Sequence, residues 1–551
     1  MQNYKKWEGY ELRKQNFIKG SIILMISAVV AKLLGAVFKI PLTNVLGGIG
    51  MSYFSCAYSI FMPVYALTVT GLSSAVARMT AQSAALGMYK NALKVRRIAL
   101  ILFSAAGLVG SMLILVLARP FSVYSIDSPE ASASVAMIAP AVFFGCITAV
   151  ERGYYEGMSN MYPTAFSQVL EGVVKAGAGL MLCGYVTEHP DTVMRYFPYV
   201  TDIRAAAAAA GILGITASTA GAALLFGVMR LFEHRPCSAE EHVMSGKEIA
   251  RELAATALPV GVSAVVTNLT ALIDMWTVIG CISHFGSNIS APVGVSAEEL
   301  PHFIYGSFAG IALTVFNLVP SVTNMLGKGA LTCITAAHEN GDRRALEQGT
   351  MQALLTSVAI SVPAAAGIFV FSPEILGILY SRQTDEVAIC IRALRYLMAG
   401  MVFLCVSYPL FSMLQAIGKP TAPLKIMLTG TAVKLVGNLV FIPFMGVDGA
   451  ALSTTICYGV MLVISLRIFT RETGISIKAA PFVKTLYAGA MCAGAAYLTS
   501  AFVQRCGASD IAELLVSGAV GGTVYLILMI MLMGRGRKSQ CNGKIINVYQ
   551  R

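Results

Sequence analysis

Charge is scarce in this sequence. Only 12% of its 551 residues are Asp, Glu, Lys or Arg, about half the share in a soluble globular chain. With 56% hydrophobic residues and a mean hydropathy of +0.71, a water-soluble fold would expose much of its apolar surface. That excludes a cytosolic enzyme, a secreted disulfide scaffold and a disordered protein. Paired cysteines are missing too. The 12 Cys are scattered singly with no CxxC, and many fall inside apolar runs. They read as small core residues rather than disulfides or metal ligands. The six His lie in expected loops without metal-ligand spacing. No Walker A or HExxH motif occurs, which argues against an ATP-driven pump and a zinc protease. The longest expected loops run to roughly 20 residues, too few for an extramembrane domain with its own core.

What is present is a series of long apolar runs. They point to helices rather than a barrel, whose strands would alternate every ten or so residues. The expected fold is all-α, a polytopic membrane protein of about 14 transmembrane helices. The expected spans are 17–40, 52–80, 96–118, 132–154, 163–185, 205–230, 253–281, 302–326, 350–371, 389–415, 423–444, 449–468, 482–503 and 511–533. The first is read as a true span: it has no small-residue cleavage site and contains Lys32 and Lys39.

The net charge of +12 is explained by position. Most Lys and Arg fall on one face: the N-terminal tail with Lys5, Lys6, Arg13 and Lys14, the loops after even-numbered spans, and the tail with Arg535, Arg537, Lys538, Lys544 and Arg551. The other face receives only Arg119, Arg195, Arg204, Arg382 and Arg505. This positive-inside pattern puts both termini in the cytoplasm and needs no nucleic-acid partner.

The chain also repeats itself. Gly211-Ile-Leu-Gly214-Ile-Thr-Ala-Ser218-Thr219 and Gly446-Val-Asp-Gly449-Ala-Ala-Leu-Ser453-Thr454 share the pattern G-x-x-G-x-x-x-S-T. Pro163-Thr-Ala165 and Pro420-Thr-Ala422 are a second echo, each followed by a mid-span lysine, Lys175 or Lys434. A third, weaker echo joins the segments at Gly87 and Gly341. The reading is two parallel six-helix lobes, 1–232 and 233–470, with 471–551 supplying two C-terminal helices and a basic tail. Parallel repeats of this kind enclose a cavity that can open to either side, as in secondary carriers.

A charge at bilayer depth costs roughly 2.5–3.5 kcal/mol on insertion scales, so each needs a reason. Lys32, Lys39, Lys175, Lys434 and Asp274 are the candidates for lining a cavity. Arg78, Arg152, Glu171, Arg392 and Arg395 form a second tier, within reach of helix ends or of a partner. Glu171 and Lys175 stand four apart and can pair along one helix face, while Glu151 and Arg152 are expected at the cytoplasmic interface. The interior is cationic in excess, which suits a phosphate or pyrophosphate better than an organic cation. Gly35, Pro41 and the glycines at 47, 48 and 50 are expected to interrupt the first span and its exit. Pro63 and Pro409 are candidate kinks.

The segment 152–175, RGYYEGMSNMYPTAFSQVLEGVVK, and the segment 31–42, AKLLGAVFKIPL, resemble the stage V sporulation protein B group of polysaccharide transporters. That group is part of the multidrug/oligosaccharidyl-lipid/polysaccharide flippase superfamily, close to the MurJ-type lipid II flippases. The resemblance implies a multi-pass protein of the bacterial plasma membrane and no enzyme. It would export an undecaprenyl-pyrophosphate-linked saccharide by alternating access, with a peptidoglycan precursor the favoured cargo. Lys32 and Lys39 match in kind the basic residues that line the cavity of MurJ-type relatives. Asp274, Asn438 and Thr454 are the nearest matches to a sodium site of some relatives, and Lys434 could replace the ion. Coupling to sodium, protons or membrane potential stays open, and no other cofactor is implied. The expected partners are the polyprenyl-linked substrate, membrane lipids and, for an otherwise monomeric protein, cell-wall synthesis proteins. Alternatives are a multidrug exporter of the same superfamily, which would present deep acids, a membrane glycosyltransferase, which would need a large outer loop, and a non-transporting scaffold of cell-wall or spore-coat assembly.

Overall fold

In a computed structural model, the described residues are 17–196, 202–232, 244–285, 292–419, 421–506 and 509–541. Lys5, Lys6, Arg13, Lys14, Pro420, Lys544 and Arg551 lie outside them. The described chain is helical. In order it comprises α1 (Phe17–Tyr65), a π-helix (Ala66–Thr70), α2 (Gly71–Ala85), α3 (Tyr89–Tyr124), α4 (Ala131–Ile138), α5 (Pro140–Gly157), α6 (Tyr162–Glu188), α7 (Pro190–Tyr196), α8 (Ile203–Leu231), α9 (Gly246–Phe285) and α10 (Leu300–Ser307). A second π-helix (Phe308–Ala312) leads to α11 (Leu313–Phe316), α12 (Leu318–Glu339), α13 (Arg343–Val370), α14 (Ser372–Leu379), α15 (Thr384–Ala416), α16 (Ala422–Met445), α17 (Val447–Thr473), α18 (Ala480–Arg505) and α19 (Asp510–Cys541).

Among the described residues 12 helices are long and apolar enough to cross a membrane, or up to 13 if a pair bent by 46° at Asn317 is one span. One of the 12 runs from Ile26 to Ala85. Its 60 residues would stretch about 90 Å as one helix, three times the thickness of a hydrocarbon core. It takes in most of the expected span 17–40 and all of 52–80, and Gly47 joins them with φ 65° and ψ −174°. That conformation costs glycine little and other residues much. Gly35 and Pro41, by contrast, sit inside continuous helix, so only Gly47 interrupts it. The expected eighth span is the more broken one, passing through α10, a π-helix, α11 and the bend before α12.

The surface confirms the solvent. Ile101, Val109, Met112 and Val116 on α3 are all more than half exposed, at spacings of eight, three and four residues that keep to one helix face. A helix apolar on its exposed face is facing lipid. Inside lipid each backbone group must be satisfied within its own helix, and most helix starts use the sequence to manage the rest. Pro140, Pro163, Pro301, Pro373, Pro423 and Pro481 open helices at positions where no N–H is needed. Asp202 and Asp342 cap α8 and α13 by accepting from backbone N–H groups.

The chain forms two compact units, Met1–Gly310 and Ile311–Arg551. The first gathers its core from α2, α3, α5, α8 and α9, with Leu72, Val95, Val150, Tyr155, Phe226 and Leu253 buried together. It thus takes in the expected seventh span and the opening of the eighth. In the second, Leu354, Val358, Leu410, Leu414, Met461 and Phe469 meet at the centre. The two G-x-x-G-x-x-x-S-T segments do comparable local work within their own units. Gly214 lets α8 approach the backbone of α6 at Gly179, and Gly449 lets α17 approach the backbone of α16 at Phe441.

Candidate functional site

Two lysines come together inside the first unit. Lys39 lies on α1, where apolar neighbours hold the helix. Its Nζ donates to the carbonyl of Ala309 at 2.9 Å, in the second π-helix. Lys175 lies mid-way along α6, which packs against α1: Gly172 faces Leu34 and Gly179 faces Phe38. The Lys175 ammonium sits 5.2 Å from the Phe38 ring centre and 5.4 Å from that of Tyr58, and donates to the Tyr58 hydroxyl at 3.5 Å. The two ammonium groups repel each other. Both are partly buried, and among the described residues neither pairs with a carboxylate. Aromatic faces and a carbonyl dipole hold a cation without cancelling its charge. The arrangement can therefore receive an anion.

Lys32 lies two turns before Lys39 on α1 and is exposed. Asp274 is buried on α9.

The expected Glu171–Lys175 pair does not form. Glu171 accepts from Arg152 at 2.7 Å, and Arg152 also donates to Ser167 at 2.9 Å. The guanidinium reaching across from α5 bonds the carboxylate through one nitrogen and Ser167 through another, which leaves Lys175 to turn to the aromatics. Glu151 is paired as well. It is buried against Arg96 of α3 at 2.5 Å, both side chains under 5% exposed, with the guanidinium 4.4 Å over the Tyr154 ring. Arg96, expected at the cytoplasmic edge of its span, was missed as a partner. The signal was Glu151 and the two tyrosines that follow Gly153. Arg78 is exposed on α2.

In the second unit Lys434 and Asn438 are buried on α16. Ser453 of α17 donates to the Lys434 carbonyl at 3.2 Å and also to the Asn438 side-chain oxygen. Thr454 donates to Ala450 in its own helix. Arg392 pairs with Asp448 at 3.1 Å, and Arg395 donates to the carbonyl of Phe369 while stacking on its ring. These two arginines are therefore tied to protein rather than simply reaching for headgroups. His302, placed in a loop by sequence, is buried in α10 against Ser52. Its signal was the apolar run Leu300-Pro-His-Phe-Ile-Tyr around it. Of the nine cysteines whose side chains are described, eight are buried free thiols and Cys506 is exposed.

The chain matches known proteins along most of its length. It is 26% identical to stage V sporulation protein B of Bacillus subtilis (strain 168) over 540 residues, covering 94% of this chain and 96% of that one. Among solved structures, lipid II flippase MurJ in an inward closed conformation superposes with a TM-score of 0.65 at 15% identity, covering 93% of this chain and 98% of that one. An inward-facing multidrug resistance MATE family transporter of the MOP superfamily gives 0.63 at 16% identity, over 82% and 98%. These structures share the fold of this chain. The family model for lipid II flippase MurJ matches residues 54–516, and the chain, a multi-pass membrane flippase of the MOP type, belongs to that family.

Proposed function

We propose that this flippase carries a polyprenyl-pyrophosphate-linked saccharide, a lipid II-like peptidoglycan precursor above others, from the cytoplasmic to the outer leaflet by alternating access. The observation that carries the reading is the unneutralised Lys39–Lys175 pair. Two ammonium groups, one held by a carbonyl and the other by aromatic rings, offer a pyrophosphate two charge-assisted bonds, and its charge would relieve their repulsion. A cationic drug would meet only repulsion there. Lys32, two turns away on the same helix, extends the basic track. The charge distribution along the loops supports a cytoplasmic side for both termini.

The test is rescue of a bacterium depleted of its lipid II flippase, with translocation of labelled precursor as readout. Rescue by the wild type and failure by Lys39→Ala at equal membrane abundance is the expected result. Rescue by both would remove the lysine site from the mechanism, and rescue by neither would redirect the substrate away from lipid II.

A further inference from the structure

At the end of the first unit opposite the basic loops, a cavity of about 460 Å³ lies between the last turns of α3, the start of α4 and the start of α8. That is within the roughly 300–1,000 Å³ of small-ligand sites. It is formed by helix faces that the packing leaves over. On α4, Ala131, Ser134, Val135 and Ile138 are buried, while Ser132, Ala133 and Ala136 line the cavity. Among the described residues α1, which carries Lys32 and Lys39, contributes nothing to it. The cavity therefore belongs to the flank of the unit and not to the lysine site.

Its lining is graded. The floor is small and apolar: Leu115, Ala118, Ala133, Ala136 and Ala206 leave room that larger side chains would fill. The rim is charged. Arg119 stands one turn beyond Leu115 on α3, about 6 Å nearer the face that the loop charges mark as outer. It is exposed and pairs with no carboxylate among the described residues. Glu130, just before α4, accepts from the Ser128 hydroxyl at 3.1 Å and likewise has no cationic partner among the described residues. Asp202 is already committed to Arg204 at 3.1 Å and to the Tyr53 hydroxyl at 3.3 Å, and Arg204 pairs in addition with Glu299. One cation and one carboxylate are thus left over in the same cavity, not paired with each other.

That is the complement of a zwitterion. A purely anionic headgroup would gain Arg119 but face Glu130. A choline would bring no N–H to Glu130, and among the described residues no aromatic ring lines the cavity to receive it. A primary ammonium two carbons from a phosphate meets both charges with charge-assisted hydrogen bonds. We propose that this cavity binds the headgroup of an outer-leaflet phosphatidylethanolamine, its phosphate on Arg119, its ammonium on Glu130, and its glycerol and first methylenes over the alanines. The acyl chains continue along the lipid-facing side of α3, where Met112 and Val116 are exposed. The site goes beyond the transport reading above and shares with it only the orientation in the membrane.

The test uses the full chain purified in detergent. It would be titrated with phosphatidylethanolamine, phosphatidylcholine and phosphatidylglycerol of the same acyl chains, with bound lipid read by native mass spectrometry. Phosphatidylethanolamine should bind about tenfold more tightly than either of the others, the scale of one charge-assisted bond. Glu130→Gln should weaken phosphatidylethanolamine about tenfold and abolish the preference. Arg119→Gln should weaken all three lipids, because each carries the phosphate. Ala133→Leu should do the same by filling the cavity with no charge altered. Arg119 and Ala133 are exposed and Glu130 is half-buried, so none of these changes removes core packing. Where Glu130→Gln still fails to fold, the other two variants carry the test. Equal binding of the three lipids by wild type, a preference that survives Glu130→Gln, or affinities untouched by Arg119→Gln and Ala133→Leu would overturn the site. So would loss of the preference in a Lys39→Ala/Lys175→Ala variant, which would put the lipid at the lysines instead. No polyprenyl lipid enters the assay, so this site can fail while the cargo assignment stands, and the reverse.

Discussion

Two places in the first unit bring cations into apolar helices, and they treat them differently. Around Arg96 the charge is cancelled where it stands, by Glu151 at 2.5 Å with Tyr154 stacked beneath. Around Lys39 and Lys175 the partners are a carbonyl, a hydroxyl and two aromatic faces. The first arrangement is complete and has nothing left to offer a ligand. The second is held in place but keeps its field. The difference separates a charge used to fasten helices from one kept available for an anion, even though both cost free energy to bury.

The largest effect should come from breaking the fastened pair. Glu151→Ala strands a buried guanidinium, and loss of one partner of a buried pair costs roughly 3–5 kcal/mol. A collapse of the thermal unfolding transition in detergent is the expected result, with transport lost only in proportion to folded protein. At the lysine site the pattern should invert. Lys39→Ala and Lys175→Ala should each lower transport at least about tenfold while stability moves within about 1 kcal/mol, and Lys39→Arg should retain more activity than Lys39→Ala.

A finer test uses Tyr58. Tyr58→Phe keeps the ring over Lys175 but removes the hydroxyl 3.5 Å from it, so transport should fall only about two- to threefold. Tyr58→Ala should fall further, because the cation–π contribution of roughly 0.5–2 kcal/mol goes too. Equal losses would place the hydroxyl, not the ring, in charge of Lys175.

The smallest effect concerns Glu299, which lies outside the spans. Partial burial works against its ionisation, but the Arg204 guanidinium and Ser296 outweigh it and hold the carboxyl below its ordinary value of 4.5. A carboxyl with a lowered pKa contributes stability that is fully present above its ordinary value and is lost as pH falls through the lowered one. The difference in unfolding temperature between wild type and Glu299→Gln should therefore hold steady from neutral pH down to the ordinary carboxyl range. It should close only below that range.

Much of this was legible in the sequence. The all-helical membrane fold followed from apolar run length, and depth put Lys39 and Lys175 among five candidates with Lys32, Lys434 and Asp274. Their convergence was not legible, because it depends on how α1 and α6 face each other, and a helix sequence gives a residue's own face but not its neighbour's. The same blindness produced the Glu171–Lys175 pair. Spacing of four made it reasonable, but Arg152 on another helix competes and wins. Arg96 was passed over because it stands among basic residues at the edge of its expected span, although α3 begins at Tyr89 and takes in Lys90, Lys94 and Arg97 with it. The joining of the first two spans turned on the φ of one glycine among several, and sequence marks glycines without saying which will turn.

The central claim is that Lys39 and Lys175 are held unneutralised to bind a pyrophosphate. The most direct measurement compares binding of undecaprenyl pyrophosphate and undecaprenol to the purified wild type and to the Lys39→Ala/Lys175→Ala double variant. Loss of two charge-assisted bonds predicts pyrophosphate affinity weakened about a hundredfold, with undecaprenol binding unchanged. Equal affinity of both proteins for the pyrophosphate would contradict the account.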